Sequence, residues 1–300
     1  MADAVRRPSP AVALVQVLRP HQWVKNLLVF VPILLDHRLL EPDTLGRGLG
    51  AFVAFCLAAS GAYVVNDLLD LDADRSHPTK RHRPFASSAL PGAAGYVLAP
   101  MLIGLSLAVG IAMDSSEFLG LLILYIVLTT AYSAYLKRIA VLDVLLLAGL
   151  YTLRVLAGIA ASGVRFSTWL LAFSTFLFLS LAFLKRHGEI STLAPDTPAG
   201  SRRRGYVAAD LQWLRTMGAT SGYLSVLVLA LYLNSDEVVV LYGKPAVLFL
   251  VCPLLLFWTG RMWLMAHRGQ IHEDPIVASA RDPSSYIVGV LVGVVLYAAL

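Results

Sequence analysis

Three hundred residues with a mean hydropathy of +0.71, 58% hydrophobic and only 14% charged side chains exclude a water-soluble globular domain, in which charged residues supply about a quarter. A net charge of +5 would suit a nucleic-acid binder, but in so apolar a chain it is better explained by Lys and Arg collecting on the cytoplasmic loops of a membrane protein, with no nucleic acid involved. Cys56 and Cys252, each inside an apolar run, define neither a disulfide framework nor a zinc site.

Apolar runs of about 17 to 22 residues predict an all-α polytopic bundle of about nine transmembrane helices. They fall near 24–40, 48–65, 95–113, 118–136, 141–162, 167–184, 216–234, 245–265 and 284–300. The first run has no small-residue cleavage site and opens on Trp23 and Lys25, so it reads as a retained span behind an N-terminal tail and interfacial segment, 1–23. With the N-terminus inside, nineteen of the 24 Lys and Arg fall on inner segments, four on outer loops, and Arg154 inside a span. That asymmetry sets a cytoplasmic N-terminus.

Ahead of the first span, Arg19, Lys25 and Asn26 suit either an interfacial anchor or contacts to phosphate. The second span runs directly into Asn66-Asp67-Leu68-Leu69-Asp70-Leu71-Asp72-Ala73-Asp74-Arg75, with the cations Lys80, Arg81 and Arg83 close behind. If the helix continues to about residue 77, Asp67, Asp70 and Asp74 share one face with Asn66 at its edge, while Asp72 points elsewhere. Like charges so spaced repel, and something positive should sit among them. Hard oxygen donors without paired Cys or His favour Mg²⁺, which usually holds a substrate phosphate as well. A solvated acidic helix end is the plainer alternative.

The fourth span ends at Tyr132-Ser133 and Lys137-Arg138, and the fifth opens on Asp143. Asp143 and Arg154 stand three helical turns apart on one face, and Arg154 near mid-span is expected to point into the bundle, as a structural ion pair or as the holder of an anionic group. The sixth span runs into Lys185-Arg186-His187-Gly188-Glu189, and Arg202-Arg203-Arg204-Gly205-Tyr206 follows as a cationic cluster of topogenic or lipid-binding type. Trp213 and Arg215 read as interface residues, and the loop from His272 to Asp282 carries charges without a motif.

The pattern Asn66-Asp67-x-x-Asp70-x-x-x-Asp74 resembles the first Asp-rich motif of the UbiA-type intramembrane prenyltransferase superfamily, nine-helix bundles with a cytoplasm-facing cavity open sideways to lipid. The resemblance implies a single transmembrane domain over 24–300, with Asn66, Asp67, Asp70 and Asp74 binding Mg²⁺ and a diphosphate. It departs at the second site, where other members have a further Asp-rich motif and this chain reads Lys185 to Glu189 with one carboxylate. With Arg19 to Asn26, Asp74 to Pro84, and Tyr132-Ser133 before Lys137, the chain is similar to the branch that includes decaprenyl-phosphate phosphoribosyltransferase.

That branch implies transfer of a 5-phosphoribosyl group from phosphoribosyl diphosphate to a polyprenyl phosphate for cell-envelope glycolipid synthesis, at the cytoplasmic side of the cell (inner) membrane. Asp67, Asp70, Asp74 and Lys185 would be catalytic. Arg19, Lys25, Asn26, Asn66, Lys80, Arg81, Arg83, Tyr132, Lys137, Arg154, Arg186 and Glu189 would contact substrate. Prenyl transfer from a prenyl diphosphate to an aromatic or lipid acceptor is the alternative, and a transporter or scaffold without chemistry a third. Self-association into a homo-oligomer is left open.

Overall fold

The computed structural model describes residues 9–76, 79–191, 205–235, 238, 241–271 and 274–300. Its regular structure is helical: α1 Pro10–Leu18, a 3₁₀ helix Pro20–Phe30, α2 Val31–Leu35, α3 Pro42–Leu69, α4 Leu71–Arg75, α5 Gly92–Ala112, α6 Ser116–Ala134 and α7 Leu142–Ser162. There follow α8 Thr168–Ser191, α9 Leu211–Leu233, α10 Val251–His267, α11 Pro275–Ser279 and α12 Pro283–Ala299. Among the described residues seven stretches are long and apolar enough to cross a membrane, Pro42–Leu69, Gly92–Ala112, Ser116–Ala134, Leu142–Ser162, Thr168–Ser191, Ala208–Leu233 and Pro245–His267. The protein is an integral membrane protein.

These seven coincide with seven of the nine expected spans, and two differ. The last, α12, is apolar but has 17 residues. The first is no continuous α-helix: the 11-residue 3₁₀ helix hands over at Val31 to the 5-residue α2, which has Pro32 in its first turn. A proline there supplies no N–H to the preceding turn, so the α-helical ladder cannot run through it. At about 2.0 Å per 3₁₀ residue and 1.5 Å per α residue, the two still cover roughly 30 Å.

The chain divides into two compact units, Met1–Leu136 with Leu153–Val164, and Lys137–Thr152 with Arg165–Leu300. In the first, α3 is the central helix. Ala51, Ala54, Ala58, Ala59, Gly61 and Ala62 are buried along it, small enough for close approach by α5 and α6. Ser106 of α5 donates to the Ala54 carbonyl at 2.8 Å, and Phe55 packs its ring against Phe118 and Tyr125 of α6.

In the second unit α8 and α9 pack on the same principle. Gly218 and Gly222 of α9 leave so little room that a Cβ on Gly218 would lie 2.2 Å from the Trp263 ring, and one on Gly222 2.5 Å from Thr259. The Ser180 hydroxyl uses that closeness, donating to the Gly218 carbonyl at 2.7 Å while accepting the Trp263 indole N–H at 3.1 Å. Asp282 caps α12 by accepting from the Ser285 N–H and also takes the Arg261 guanidinium at 2.9 Å.

Candidate active site

The acidic stretch does not continue as one helix. α3 stops at Leu69, Asp70 takes φ −96° and ψ 8°, and the chain resumes as the short α4. Across this break Asp67 and Asp74 both turn inward, 2% and 1% exposed. Buried carboxylates are stable only with partners, and here the partners are two arginines. Arg19 Nη2 donates to both Asp67 oxygens, at 2.6 and 2.8 Å. Arg83 Nη1 bridges the pair, 3.0 Å from Asp67 Oδ1 and 2.6 Å from Asp74 Oδ2. The positive charge expected among the aspartates is thus supplied by the chain itself, and these four side chains sum to zero.

The fourth carboxylate oxygen, Asp74 Oδ1, is buried without a hydrogen-bond partner. Asp70 and Asn66 are half-buried, and Asp72 stays in solvent beside Arg75 at 3.6 Å. Among the described residues no three His, Cys, Asp or Glu side chains converge on a metal-sized site. Two of the expected carboxylates are therefore brought together, and Asp70 does not join them as a third.

Arg19 is aimed by its backbone. It ends α1 in the left-handed conformation, φ 53°, where a non-glycine residue is uncommon. Its guanidinium lies over the Tyr63 ring at 4.9 Å, the Ser60 hydroxyl donates to the Leu18 carbonyl at 2.8 Å, and the Trp23 indole donates to Ser60 at 3.1 Å. Ser60, Tyr63 and Asp67 are spaced i, i+3, i+7, one face of α3. That spacing is legible in the sequence, but nothing in it singles out Ser60 and Tyr63, because neither is charged.

Arg154 is buried as expected, although Asp143 is not the partner seen. Its Nε donates to Asn26 Oδ1 and its Nη2 to the Tyr125 hydroxyl, both at 2.8 Å, with the guanidinium 4.7 Å from the Tyr125 ring centre. Asn26 in turn donates to Cys56 Sγ at 3.3 Å. Lys25 is also buried, Lys80 and Tyr132 are half-buried, and Arg81 is exposed, donating to His82 at 3.3 Å.

The second unit holds the remaining expected residues. Arg186 and Asp143, both fully buried, pair at 2.5 Å, and Arg186 also meets Glu189. Tyr206 donates to Asp143 Oδ1 at 2.8 Å and accepts the Val141 N–H at 2.7 Å. Burial, reinforced by the Asp143 carboxylate, pushes the Tyr206 phenol above its ordinary range, so it stays a donor. Val141 is held at φ 69°, a strained conformation for a β-branched residue. Lys185 Nζ lies 3.1 Å from Asp274 Oδ2, which also accepts from the Tyr151 hydroxyl at 3.0 Å. Lys137 is buried nearby in sequence. Asp274 and Tyr151 had no motif to announce them. Arg202 to Arg204, His272 and Glu273 lie outside the described residues.

Among the described residues the membrane protein is all-helical, with a buried acid–arginine cluster at the end of α3. Residues 38–275 match the UbiA prenyltransferase family, and the chain belongs to that family of membrane transferases. Over 292 residues it is 36% identical to the nodulation protein NoeC of Azorhizobium caulinodans, covering 95% of this chain and 93% of that one. It is 37% identical over 231 residues to a decaprenyl-phosphate phosphoribosyltransferase of Corynebacterium glutamicum, 74% and 69% of the two chains. The protein y4nM of Sinorhizobium fredii is 36% identical over 92% of this chain, which spans about half, 53%, of that relative's length. Among solved structures, a UbiA homolog from Archaeoglobus fulgidus bound to GPP and Mg²⁺ superposes with a TM-score of 0.72 at 17% identity, over 96% of this chain and 99% of that one. That likeness speaks to the fold.

Proposed function

We propose that this protein transfers a 5-phosphoribosyl group from phosphoribosyl diphosphate to a polyprenyl phosphate. The observation that carries the reading is the Arg19–Asp67–Arg83–Asp74 cluster, and the phosphoribosyltransferase relatives support the choice of donor and acceptor. The reading includes nine spans, a single transmembrane domain, a cytoplasmic N-terminus and a site on the cytoplasmic side of the inner membrane.

Carboxylate oxygens, one of them buried and unpartnered on Asp74, are the hard donors Mg²⁺ takes. Asp67 and Asp74, with Asn66 and Asp70 on the same stretch, would hold it, and when bound it would stabilise a departing diphosphate. Arg19 and Arg83 would then exchange carboxylate for phosphate oxygens, to which guanidinium forks are equally suited. Lys80 and Arg81 add positive charge next in sequence. The C1–O bond to diphosphate breaks, an oxygen of the lipid phosphate forms the new C1–O bond, and diphosphate leaves with the bonding pair. The attacking phosphate is already ionised, so no general base is required. The roles of Lys25, Asn26, Tyr132, Lys137, Arg154, Lys185, Arg186 and Glu189 rest on sequence position and on the family.

Purified protein given Mg²⁺, phosphoribosyl diphosphate and a polyprenyl phosphate should release one diphosphate per phosphoribosylated lipid, and chelation or Asp67→Asn should abolish both. No release and no product would overturn the reading. The solved neighbour with GPP favours a second reading, prenyl transfer. It predicts incorporation of label from a prenyl diphosphate and indifference to phosphoribosyl diphosphate.

A further inference from the structure

In the second unit a cavity of ≈ 660 Å³ opens at the end of the bundle where α8 and α10 finish and α9 begins. Its size is that of a small-molecule site. His187, Arg215, His267 and Arg268 line it together with Gln212 and Ser191, and no acidic side chain is in its lining among the described residues. Among the described residues the ionisable groups facing it are two arginines and two histidines.

Cations at the ends of helices have an ordinary explanation, since a helix C-terminus carries partial negative charge. His267 and Arg268, at the end of α10, fit that explanation. Arg215 does not. It stands in the second turn of α9, toward the end of that helix with partial positive charge, and its Nη1 lies 3.4 Å from His267 Nδ1. His187, 7% exposed, adds its ring to the cavity wall, edge-on against Trp263, with its Nδ1 buried away from solvent. Gathering Arg215 and Arg268 beside His267 without a counter-charge among the described residues is unfavourable, and a multi-oxygen anion relieves it by supplying both charge and acceptors. Arginine forks match phosphate in particular. Trp213, two residues before Arg215 and partly exposed, is of the type that settles at headgroup depth.

We infer that this cavity binds a phosphate-bearing anion, a phospholipid headgroup or a soluble phosphate, on residues other than those of the acidic cluster. The inference does not rest on the phosphoribosyl reading, and its test reads binding and not turnover. Purified protein is given two probes, phosphatidylglycerol followed by native mass spectrometry with phosphatidylcholine as reference, and inorganic phosphate followed by calorimetry. An R215Q/R268Q double variant should lose at least about tenfold in affinity, the worth of one good charge-assisted hydrogen bond. Loss confined to phosphatidylglycerol identifies a lipid headgroup, and loss confined to inorganic phosphate a soluble ligand. R215K/R268K should retain binding in part. If the double variant aggregates, Arg268→Gln alone, at an exposed position, carries the comparison. Wild-type binding of neither probe, or equal binding by wild type and variant, overturns the inference.

Discussion

Replacing Gly158 by alanine tests how the first unit holds Arg154. Gly158 lies one turn beyond Arg154 on α7, and a Cβ there would meet the Val29 carbonyl oxygen at 2.1 Å, its carbon at 2.9 Å and its Cα at 3.1 Å. These are backbone atoms, so no rotamer change relieves the clash. A carbon next to a carbonyl oxygen settles at about 3.3 Å, so Val29 must withdraw by roughly 1 Å. In a 3₁₀ helix residues i and i+3 eclipse, which places Asn26 on the same edge as Val29. The withdrawal therefore stretches the 2.8 Å bond from Arg154 to Asn26 beyond hydrogen-bonding range. Overpacking costs about 1–3 kcal/mol and the lost bond to a charged group about 1.5–3, against about 1 kcal/mol gained from alanine's helix propensity. The net loss is roughly 2–5 kcal/mol by those figures, a fall in melting midpoint of about 4 °C or more. Gly149, on the same helix with nothing within 4 Å of its missing Cβ, is the control, and Gly149→Ala should be neutral or slightly stabilising. The assay is the monodisperse fraction left after heating in detergent. A Gly158→Ala midpoint equal to or above wild type would refute the close approach.

The same melting assay serves the other predictions. Arg186→Met strands Asp143 as a buried charge and should cost about 3–5 kcal/mol, whereas Arg186→Met with Asp143→Leu should recover most of it. A double variant no better than the single one would remove the ion pair from the explanation. Gly218→Ala, with its Cβ 2.2 Å from the Trp263 ring and 2.7 Å from Phe183 Cβ, should cost about 1–3 kcal/mol, and an unchanged midpoint counts against the close α8–α9 packing. The hydrogen bond from Arg261, first among its causes, holds the Asp282 carboxyl below its ordinary value. A depressed carboxyl stabilises above its unfolded pKa of about 3.9 and ceases to do so as pH falls through the lowered value. Wild type should therefore melt above Asp282→Asn at neutral pH, with the gap closing below about pH 4, and a gap that persists in acid would contradict the assignment.

Sequence periodicity located the long helices because length and hydropathy alone decide them. It could not foresee the 3₁₀ helix, since an apolar run near Pro32 looks the same whether it winds at 3.0 or 3.6 residues per turn. The acidic stretch was recognisable as a place where a positive charge must sit, but not whose charge it would be. Spacing describes one helix, whereas Arg19 and Arg83 arrive from 48 and 16 residues away. Asp143 and Arg154 share a face yet stand about 16 Å apart along α7, too far for direct contact, so each is bonded instead to a residue of another segment. The break at Asp70 has neither glycine nor proline to signal it. Capping and turn-forming aspartates bond locally to the backbone, and a run of them weakens a helix in a way that face diagrams ignore.

The left-handed turn at Arg19 also bears on how the protein is made. Chain synthesis delivers Arg19 first, then Asp67, Asp74 and Arg83, so every charge of the neutral cluster lies within one continuous stretch of the first unit. Each buried carboxylate can meet its cation before the residues beyond Arg165 are made, in keeping with domain-by-domain folding of growing chains. The costly step of desolvating two aspartates at the end of α3 then needs nothing from the second unit.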